Sequence, residues 1–313
     1  MIYFQKTLHF RMKEPTVMTI GKFDGIHMGH KKILDEVLWQ KHHRGLRSAI
    51  FSFDTSPQNA IHHRHLKQLT TNDERHEVLE ALGIDTFIEC PFTDEVRSME
   101  AQDFIEWVTV RMRVKSFVVG TDCRFGHNRS GNAQVLEQFA PVYGYDVKVV
   151  EKLQYENRDI SSTFIREEIM AGHMEKANML LGYPFFIRGQ VLNGNHMGNS
   201  FGFPTVNLIP EDNKLLPPYG VYASTVTIGS DNYGGVTNIG VKPTIQGDHV
   251  CGVETNIFNF CRNIYGEQIT VSLWHFMRPE RKFETVDALK EQIRSDTLTA
   301  QTLLQDVKVT PLN

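Results

Sequence analysis

The chain changes its periodicity once, at Gly182–Pro184, and that change constrains its fold more than any other feature. Ahead of it, short apolar runs alternate with stretches whose apolar residues recur at helical spacing. Beyond it helical spacing gives way to short β-rich runs set among Gly and Pro, and only the last segment is helical again. The first texture is that of an α/β unit with a parallel sheet covered on both faces. The second is that of an antiparallel barrel or sandwich. At 313 residues the length suits two domains of about 150 residues each, and the boundary is expected near residue 183, giving 1–183 and 184–313.

Within the first half, Thr16–Ile20 is an apolar run ending at Gly21, as a buried parallel strand should. Lys31–Arg44 places Ile33, Leu34, Val37 and Leu38 on one helical face, with Gly45 where a C-terminal cap belongs. Arg47–Phe53, Lys115–Val119 and Asp146–Val150 read as further strands. Asn72 is placed to cap a helix carrying Val78, Leu79 and Leu82, and Asn132–Phe139 reads as another helix. Ser162–Met170 and Lys176–Leu181 close this half as two short helices. Strands are expected at Phe185–Leu192, Gly220–Ile228, Gly234–Ile239, Val253–Phe260 and Gln268–His275. A last helix, Val286–Leu304, has Leu289, Ile293, Leu303 and Leu304 to pack on them.

Composition narrows the function classes. Hydrophobic residues make up 41% and charged residues 22%, an ordinary globular balance. The net charge is −4 and no basic run occurs, so the electrostatic footprint of a nucleic-acid protein is missing. Anionic ligands would have to be held by helix N-termini, backbone amides, a few Arg or Lys, and Mg²⁺. Cys90, Cys123, Cys251 and Cys261 form neither a CxxC pair nor a zinc spacing, which suits reduced thiols. Met1–Pro15 is interrupted by Lys6, His9, Arg11, Lys13 and Glu14, so neither a signal peptide nor a membrane span is expected, and the cytoplasm is the expected compartment.

The densest chemistry lies between the first strand and the first helix, at Gly21-Lys22-Phe23-Asp24-Gly25-Ile26-His27-Met28-Gly29-His30. A strand-to-helix turn aims the amides of a helix N-terminus over the carboxyl edge of the sheet, where they favour anions. Gly21, Gly25 and Gly29 allow a tight turn and close approach to a phosphate. His27 and His30 are placed to hydrogen-bond phosphate oxygens as charge builds on them, and Lys31 and Lys32 add positive charge. Further on, Ser162 can cap the helix it opens, with Arg166 one turn later and suited to bidentate phosphate contact.

The HxGH string resembles the signature of nucleotidylyltransferases, and GKFDGIHMGH resembles the FAD synthetase half of the prokaryotic bifunctional riboflavin kinase/FAD synthetases. Gly120-Thr121-Asp122-Cys123-Arg124-Phe125-Gly126-His127-Asn128-Arg129-Ser130-Gly131-Asn132 resembles that family's segment after a central strand, which lines the nucleotide pocket. Ile160-Ser161-Ser162-Thr163-Phe164-Ile165-Arg166 resembles its ISSTxIR motif. The resemblance implies a nucleotidylyltransferase-type, Rossmann-like N-terminal domain. In it the phosphate of FMN attacks the α-phosphorus of ATP, pyrophosphate departs and FAD results, with Mg²⁺ neutralising the polyphosphate. It implies His27, His30 and Arg166 in the chemistry. It implies nucleotide or phosphate contacts from Gly21, Phe23, Asp24, Gly25, Gly29, Asp122, Arg124, Ser161, Ser162 and Thr163. Phe51–Asn59 departs from the family's Phe-x-Pro-His-Pro-like segment.

Residues 186–313 resemble the riboflavin kinase module. Gly202-Phe203-Pro204-Thr205-Val206-Asn207 is close to GFPTAN, and a Thr and an Asn at alternate positions of an extended segment share one face. By the resemblance Thr205 and Asn207 are the ligands of ATP-bound Mg²⁺. Val253-Glu254-Thr255-Asn256-Ile257-Phe258 is similar to VETHIF, whose Glu is the family's general base, so Glu254 is expected to take the proton of the ribityl hydroxyl of riboflavin. Arg278, in Arg278-Pro279-Glu280-Arg281-Lys282-Phe283, is a candidate flavin contact. The loop Asn193–Phe201 carries no Arg or Lys where the family has basic residues, and Asn256 stands in place of His.

His62, His63 and His65 read as a polar surface loop, since no carboxylate or Cys completes a metal set. Three functions remain open from the sequence. One is a bifunctional enzyme taking riboflavin to FMN and FMN to FAD, and it is favoured. A second is a FAD synthetase whose kinase module is weak or silent. The third is a flavin-responsive binding protein without turnover. No nucleic-acid or membrane partner is expected, and the oligomeric state is not legible.

Overall fold

The computed structural model describes residues 1–55, 66–192, 205–243 and 249–307. The chain packs as two compact units, one of Met1–Ser162 and one beginning at Thr163. The two texture regions match these two architectures, though the helices Ser162–Met170 and Met174–Leu181 are grouped with the second unit from Thr163 onward.

In the first unit six strands run β1 (Ile2–Gln5), β2 (Thr16–Ile20), β3 (Arg47–Phe53), β4 (Thr86–Cys90), β5 (Val114–Gly120) and β6 (Asp146–Val150). They are ordered β1-β4-β3-β2-β5-β6 and every neighbouring pair is parallel, while β7 (Gln154–Tyr155) and β8 (Arg158–Asp159) pair with each other as a short antiparallel ribbon. The chain steps from β2 to β3 and β4 on one side, then returns to lay β5 and β6 on the other. The carboxyl ends of β2 and β5 therefore flank a topological switch point, where doubly wound sheets bind ligands.

Helices cover the sheet: α1 (Met28–Arg44), α2 (Asn72–Ala81), α3 (Asp94–Ser98), α4 (Ala101–Met112) and α5 (Ala133–Tyr143). The α4 stripe Phe104, Ile105, Val108 and Met112 joins Phe10, Met18, Phe51, Phe117 and Val119 in one apolar cluster. Each such side chain contributes about 1.5–3 kcal/mol on burial. The ring of Phe51 meets those of Phe10, Phe104 and Trp107 edge to face, the arrangement that aromatic quadrupoles favour. Helix α1 begins three residues before the predicted Lys31, because His27 is its N-cap, and it ends as expected at Gly45 with φ 64°. For α2 the cap is Thr71 rather than Asn72. The Thr71 hydroxyl accepts from the Glu74 amide while the Glu74 carboxylate accepts from the Thr71 amide.

The second unit starts with α6 (Ser162–Met170, its first residue grouped with the first unit) and α7 (Met174–Leu181). It then forms an antiparallel sheet from β9 (Phe185–Gln190), β10 (Thr205–Leu208), β11 (Gly220–Ile228), β12 (Asp231–Pro243), β13 (His249–Ile257) and β14 (Gln268–Pro279), ordered β10-β13-β12-β11-β14-β9. A bridge between Leu192 and Asn207 ties the run after β9 to β10 at the opposite edge, so the sheet curls toward closure. Val253, Thr255, Ile257, Ile239 and Tyr222 are buried, while Thr205, Asn207 and Glu254 are only half-buried. The closing helix α8 (Val286–Leu303) turns Asp296 and Ala300 inward. Leu289, Ile293 and Leu304 are half-buried along that stripe, but the predicted core residue Leu303 lies one position off it and is exposed.

Candidate active sites

The first site is the β2–α1 turn. Gly21 continues from β2, its amide donating to the Phe51 carbonyl at 3.0 Å. The next five residues fold back on themselves with positive φ at Phe23 (50°), Gly25 (83°) and Ile26 (37°). Two of these three carry a side chain, and such backbone is strained by about 1–3 kcal/mol per residue. The strain is held by burial, since Phe23 and Ile26 are almost fully enclosed. It is also held by polar ties. The Asp24 carboxylate accepts from the Leu69 and Thr70 amides at 2.8 and 3.3 Å, and the Thr70 hydroxyl accepts from the Gly25 amide at 3.0 Å. The Ser162 hydroxyl donates to the Asp24 carbonyl at 2.9 Å. The Arg75 guanidinium donates to the Lys22 carbonyl at 2.8 Å.

This turn delivers His27 and His30 together. Their rings stack with centroids 3.7 Å apart, and the Phe23 ring lies 4.9 Å from that of His30. His27 Nδ1 accepts from the backbone amide of His30 at 3.3 Å, so the neutral ring carries its proton on Nε2. Burial pushes the His27 pKa down to about 4, against smaller opposing effects from Asp24 and Asp122. Burial, His27 and Arg75 together hold His30 well below its ordinary value. Both rings are thus neutral near pH 7. His30 Nδ1 is buried with no hydrogen-bond partner among the described residues. Gly29 permits the stack, because a Cβ there would stand 3.1 Å from His27 Nδ1 and 3.2 Å from the Ile160 carbonyl.

The other residues expected at this site divide by location. Asp122 follows β5 across the switch point, close enough to act on His27, and pairs with Lys152 at 3.2 Å. Lys152 also meets Asp159 at 3.0 Å. Arg124 is exposed and donates to the Cys123 carbonyl at 2.7 Å. Asp24 and Phe23 are buried and braced within the loop itself. Ser161 and Ser162 end the first unit, while Thr163 and Arg166 follow on α6 in the unit that begins at Thr163. Thr70 and Arg75 were not foreseen. The readable signal was Thr71-x-x-Glu74, a capping box that fixes the start of the helix bearing Arg75.

The second site is on the outer face of the β10–β13–β12 ribbon. Register pairs Thr205 with Asn256 and Asn207 with Glu254, and on the other side Glu254 with Asn238. All five therefore share one face. The Thr205 hydroxyl donates to the Glu254 carboxylate at 2.6 Å. Asn238 donates to Glu280 at 3.0 Å, and Gly240 leaves the space that the Glu280 carboxylate fills. Asn238 and Glu280 extend the predicted set of Thr205, Asn207 and Glu254. Arg278 is engaged by α8: its Nε and Nη2 donate to the buried Asp296 carboxylate, the shortest contact being 2.7 Å. A cavity of about 400 Å³ opens beside β10, lined by Thr205, Val206, Phe260, Cys261 and Tyr265 among others. The loop Asn193–Phe201, with Gly202, Phe203 and Pro204, lies outside the described residues, as do His62, His63 and His65.

Comparison with known proteins agrees with this division. Residues 9–164 match the FAD synthetase family and residues 181–304 match the riboflavin kinase family. The bifunctional riboflavin kinase/FMN adenylyltransferase of Listeria monocytogenes is 33% identical over 282 residues, 90% of each chain. That of Escherichia coli K12 is 34% identical, covering 92% of this chain and 93% of that one. The solved structure of a macrolide-efflux protein from Streptococcus pneumoniae superposes with a TM-score of 0.85 at 30% identity, covering 96% of this chain and 98% of that one. No helix among the described residues is long and apolar enough to cross a membrane. With both domains matched and whole-length relatives of one kind, the chain belongs to the bifunctional riboflavin kinase/FMN adenylyltransferase family.

Proposed function

We propose that this protein phosphorylates riboflavin to FMN in residues 184–313 and adenylylates FMN to FAD in residues 1–183, using ATP for both steps. The observation that carries the reading is the stacked His27–His30 pair at the N-terminus of α1, beside the switch point of a parallel sheet. In adenylyl transfer an oxygen of the FMN phosphate forms a bond to the α-phosphorus of ATP. The α–β bridging bond breaks, and pyrophosphate leaves with the bonding electrons. His27 donates its Nε2 proton in a hydrogen bond to a phosphoryl oxygen, and the α1 amides face the same charge. The neutral rings contribute directed hydrogen bonds, while Arg166, Ser161, Ser162 and Thr163 bind phosphate from the start of α6. Asp122 and Arg124 line the nucleotide side.

In the kinase half Glu254 takes the proton of the ribityl hydroxyl as that oxygen attacks the γ-phosphorus, and ADP leaves. The Thr205 hydroxyl donates to the Glu254 carboxylate and so fixes its orientation on the shared face. Thr205 and Asn207 each offer a side-chain oxygen on one face, the hard donor type that suits Mg²⁺. When bound there with ATP, Mg²⁺ offsets the negative charge of the phosphates. Arg278, tied to Asp296, would reach the flavin only from that fixed position. The cytoplasm is the compartment we assign, in keeping with four cysteines that form neither a CxxC pair nor a zinc spacing.

A second reading, FAD synthesis alone, is favoured by one observation: Asn193–Phe201 contains no basic residue. Incubation of the purified protein with ATP, Mg²⁺ and either riboflavin or FMN, followed by chromatography of the flavins, separates the two. Formation of FMN and FAD from riboflavin supports the bifunctional reading. FAD from FMN with nothing from riboflavin supports the second, and no product from either substrate overturns both.

A further inference from the structure

We propose that Arg75 is a positioning residue for adenylyl transfer: a buried guanidinium that grips the Lys22 carbonyl and so fixes the strained loop that presents His27 and His30. The inference rests on the adenylyl-transfer reading of that loop. Arg75 is 1% exposed, on the first turn of α2. One Nη donates to the Lys22 carbonyl at 2.8 Å and the other to the Asn72 side chain at 2.8 Å, while the guanidinium lies over the Phe87 ring.

The arrangement is poorly suited to stability for its own sake. The carboxylate that pairs with Arg75, Glu89 on β4, is fully buried and stands 3.7 Å away. Both Arg75 Nε and Glu89 Oε1 are buried without a hydrogen-bond partner among the described residues. Glu89 is instead bonded through its other oxygen to the Tyr3 hydroxyl at 2.8 Å. Taking a guanidinium out of water for so loose a pair is costly, and a well-packed apolar side chain would serve a core better. What the guanidinium alone supplies is a pair of directed donors, one to the loop at Lys22 and one to the Asn72 side chain that steadies it.

The grip falls at the decisive place. Residues 69–75 hold three points of the turn in succession: the Gly25 amide through Thr70, the Asp24 carboxylate through the Leu69 and Thr70 amides, and the Lys22 carbonyl through Arg75. Phe23 and Ile26, the strained residues with side chains, lie within or beside the span so held. Released at Lys22, the turn can relax and carry the His pair away from the phosphates. Arg75 also faces His30 as a fixed positive charge, alongside His27. The groups that face Arg75 in turn are Glu89 from β4, Asp24 from the loop, Tyr3 from β1 and Asp54 after β3.

The test uses the full-length protein, with riboflavin phosphorylation by the same molecules as the internal measure of folding. Arg75→Gln is expected to lower kcat for FMN adenylylation about 10- to 100-fold while leaving the KM for FMN and ATP within about threefold. Removal of the positive charge facing His30 is expected to move the acid limb of the kcat/KM profile to higher pH. Arg75→Lys, which keeps the charge and one donor, recovers part of kcat and the wild-type limb. Glu89→Gln disturbs the same buried cluster without touching the grip; it lowers thermal stability but holds kcat within about threefold. Equal loss of adenylylation in Glu89→Gln and Arg75→Gln would overturn the proposal, as would a wild-type kcat or an unmoved acid limb in Arg75→Gln. If the wild-type protein makes no FAD from FMN, the functional reading itself has failed, which is a separate outcome.

Discussion

At the residue scale, each site has a hydrogen bond that fixes how its reacting side chain is held. His27 accepts from the His30 amide and stays neutral because burial holds its pKa at about 4. An unfolded chain returns that imidazole to its ordinary 6.5, so between about pH 6.5 and 4 the unfolded state binds a proton that the folded state does not. Folding stability must then fall as pH drops through this window. His27→Asn, which keeps a cap acceptor but cannot titrate, is expected to show a smaller loss of melting temperature from pH 7 to pH 5; equal losses would contradict it. Glu254 is the counterpart in the second unit. Glu254→Gln keeps an oxygen to accept the Thr205 proton but cannot take one from substrate. Riboflavin phosphorylation should therefore fall about 10²- to 10⁴-fold, with FAD formation from FMN unchanged, in the same chromatographic assay. Both histidines, Glu254 and Thr205 were legible because they sit in short motifs of fixed order. Arg75 was not, because nothing in its local sequence separates a buried arginine from one on a solvated helix face.

At the element scale, the alternation of strands and helices in the first half emerged from apolar runs and caps, and so did the β-rich texture of the second. Each missed element has its own cause. β4 reads Thr-Phe-Ile-Glu-Cys, and its glutamate breaks the apolar run although it is fully buried. The edge strand β1, Ile-Tyr-Phe-Gln, is only four residues long, and its pairing with β4 is what marks it as a strand. α4 was overlooked although its stripe is regular, since no side-chain cap marks its start at Glu100. In α8 the buried positions are Asp296 and Ala300, and a buried aspartate is invisible to a search for apolar faces until Arg278 is placed against it. One cap in the first unit carries a measurable load. The Asn132 side chain accepts from the Val135 amide at 3.0 Å to open α5. Asn132→Ala should destabilise the first unit by about 1 kcal/mol in chemical denaturation, with Asn132→Gly losing less. Identical behaviour of the two would sink that account.

At the scale of the whole molecule, the two units carry separate chemistries, and so each serves as a control for the other. The thiols illustrate how unevenly the chain is exposed. Burial pushes Cys90 and Cys123 up to about 12, and both lie within the first unit's core, whereas Cys261 is exposed beside the cavity of the second. A thiol reagent at pH 8 is expected to label Cys261 first and to reach Cys90 and Cys123 only on unfolding. Rapid labelling of either buried thiol in the native protein, read by peptide mass, would contradict the packing described. The position of the loop over the carboxyl edge of the sheet could be anticipated from its place between a strand and a helix. The brace from residues 69–75 could not, since it joins segments whose meeting is decided by the sheet.

The bond from Ser162 to the Asp24 carbonyl spans 138 positions of sequence. During synthesis the phosphate loop leaves the ribosome early, yet its last tie arrives only with the final residues of the unit. A nascent chain can build the sheet around a loop that is still slack, and ligand binding becomes available late, as a property of the finished unit. In the order of synthesis, the bracing of the loop is thus completed only when the chain has been made through Ser162.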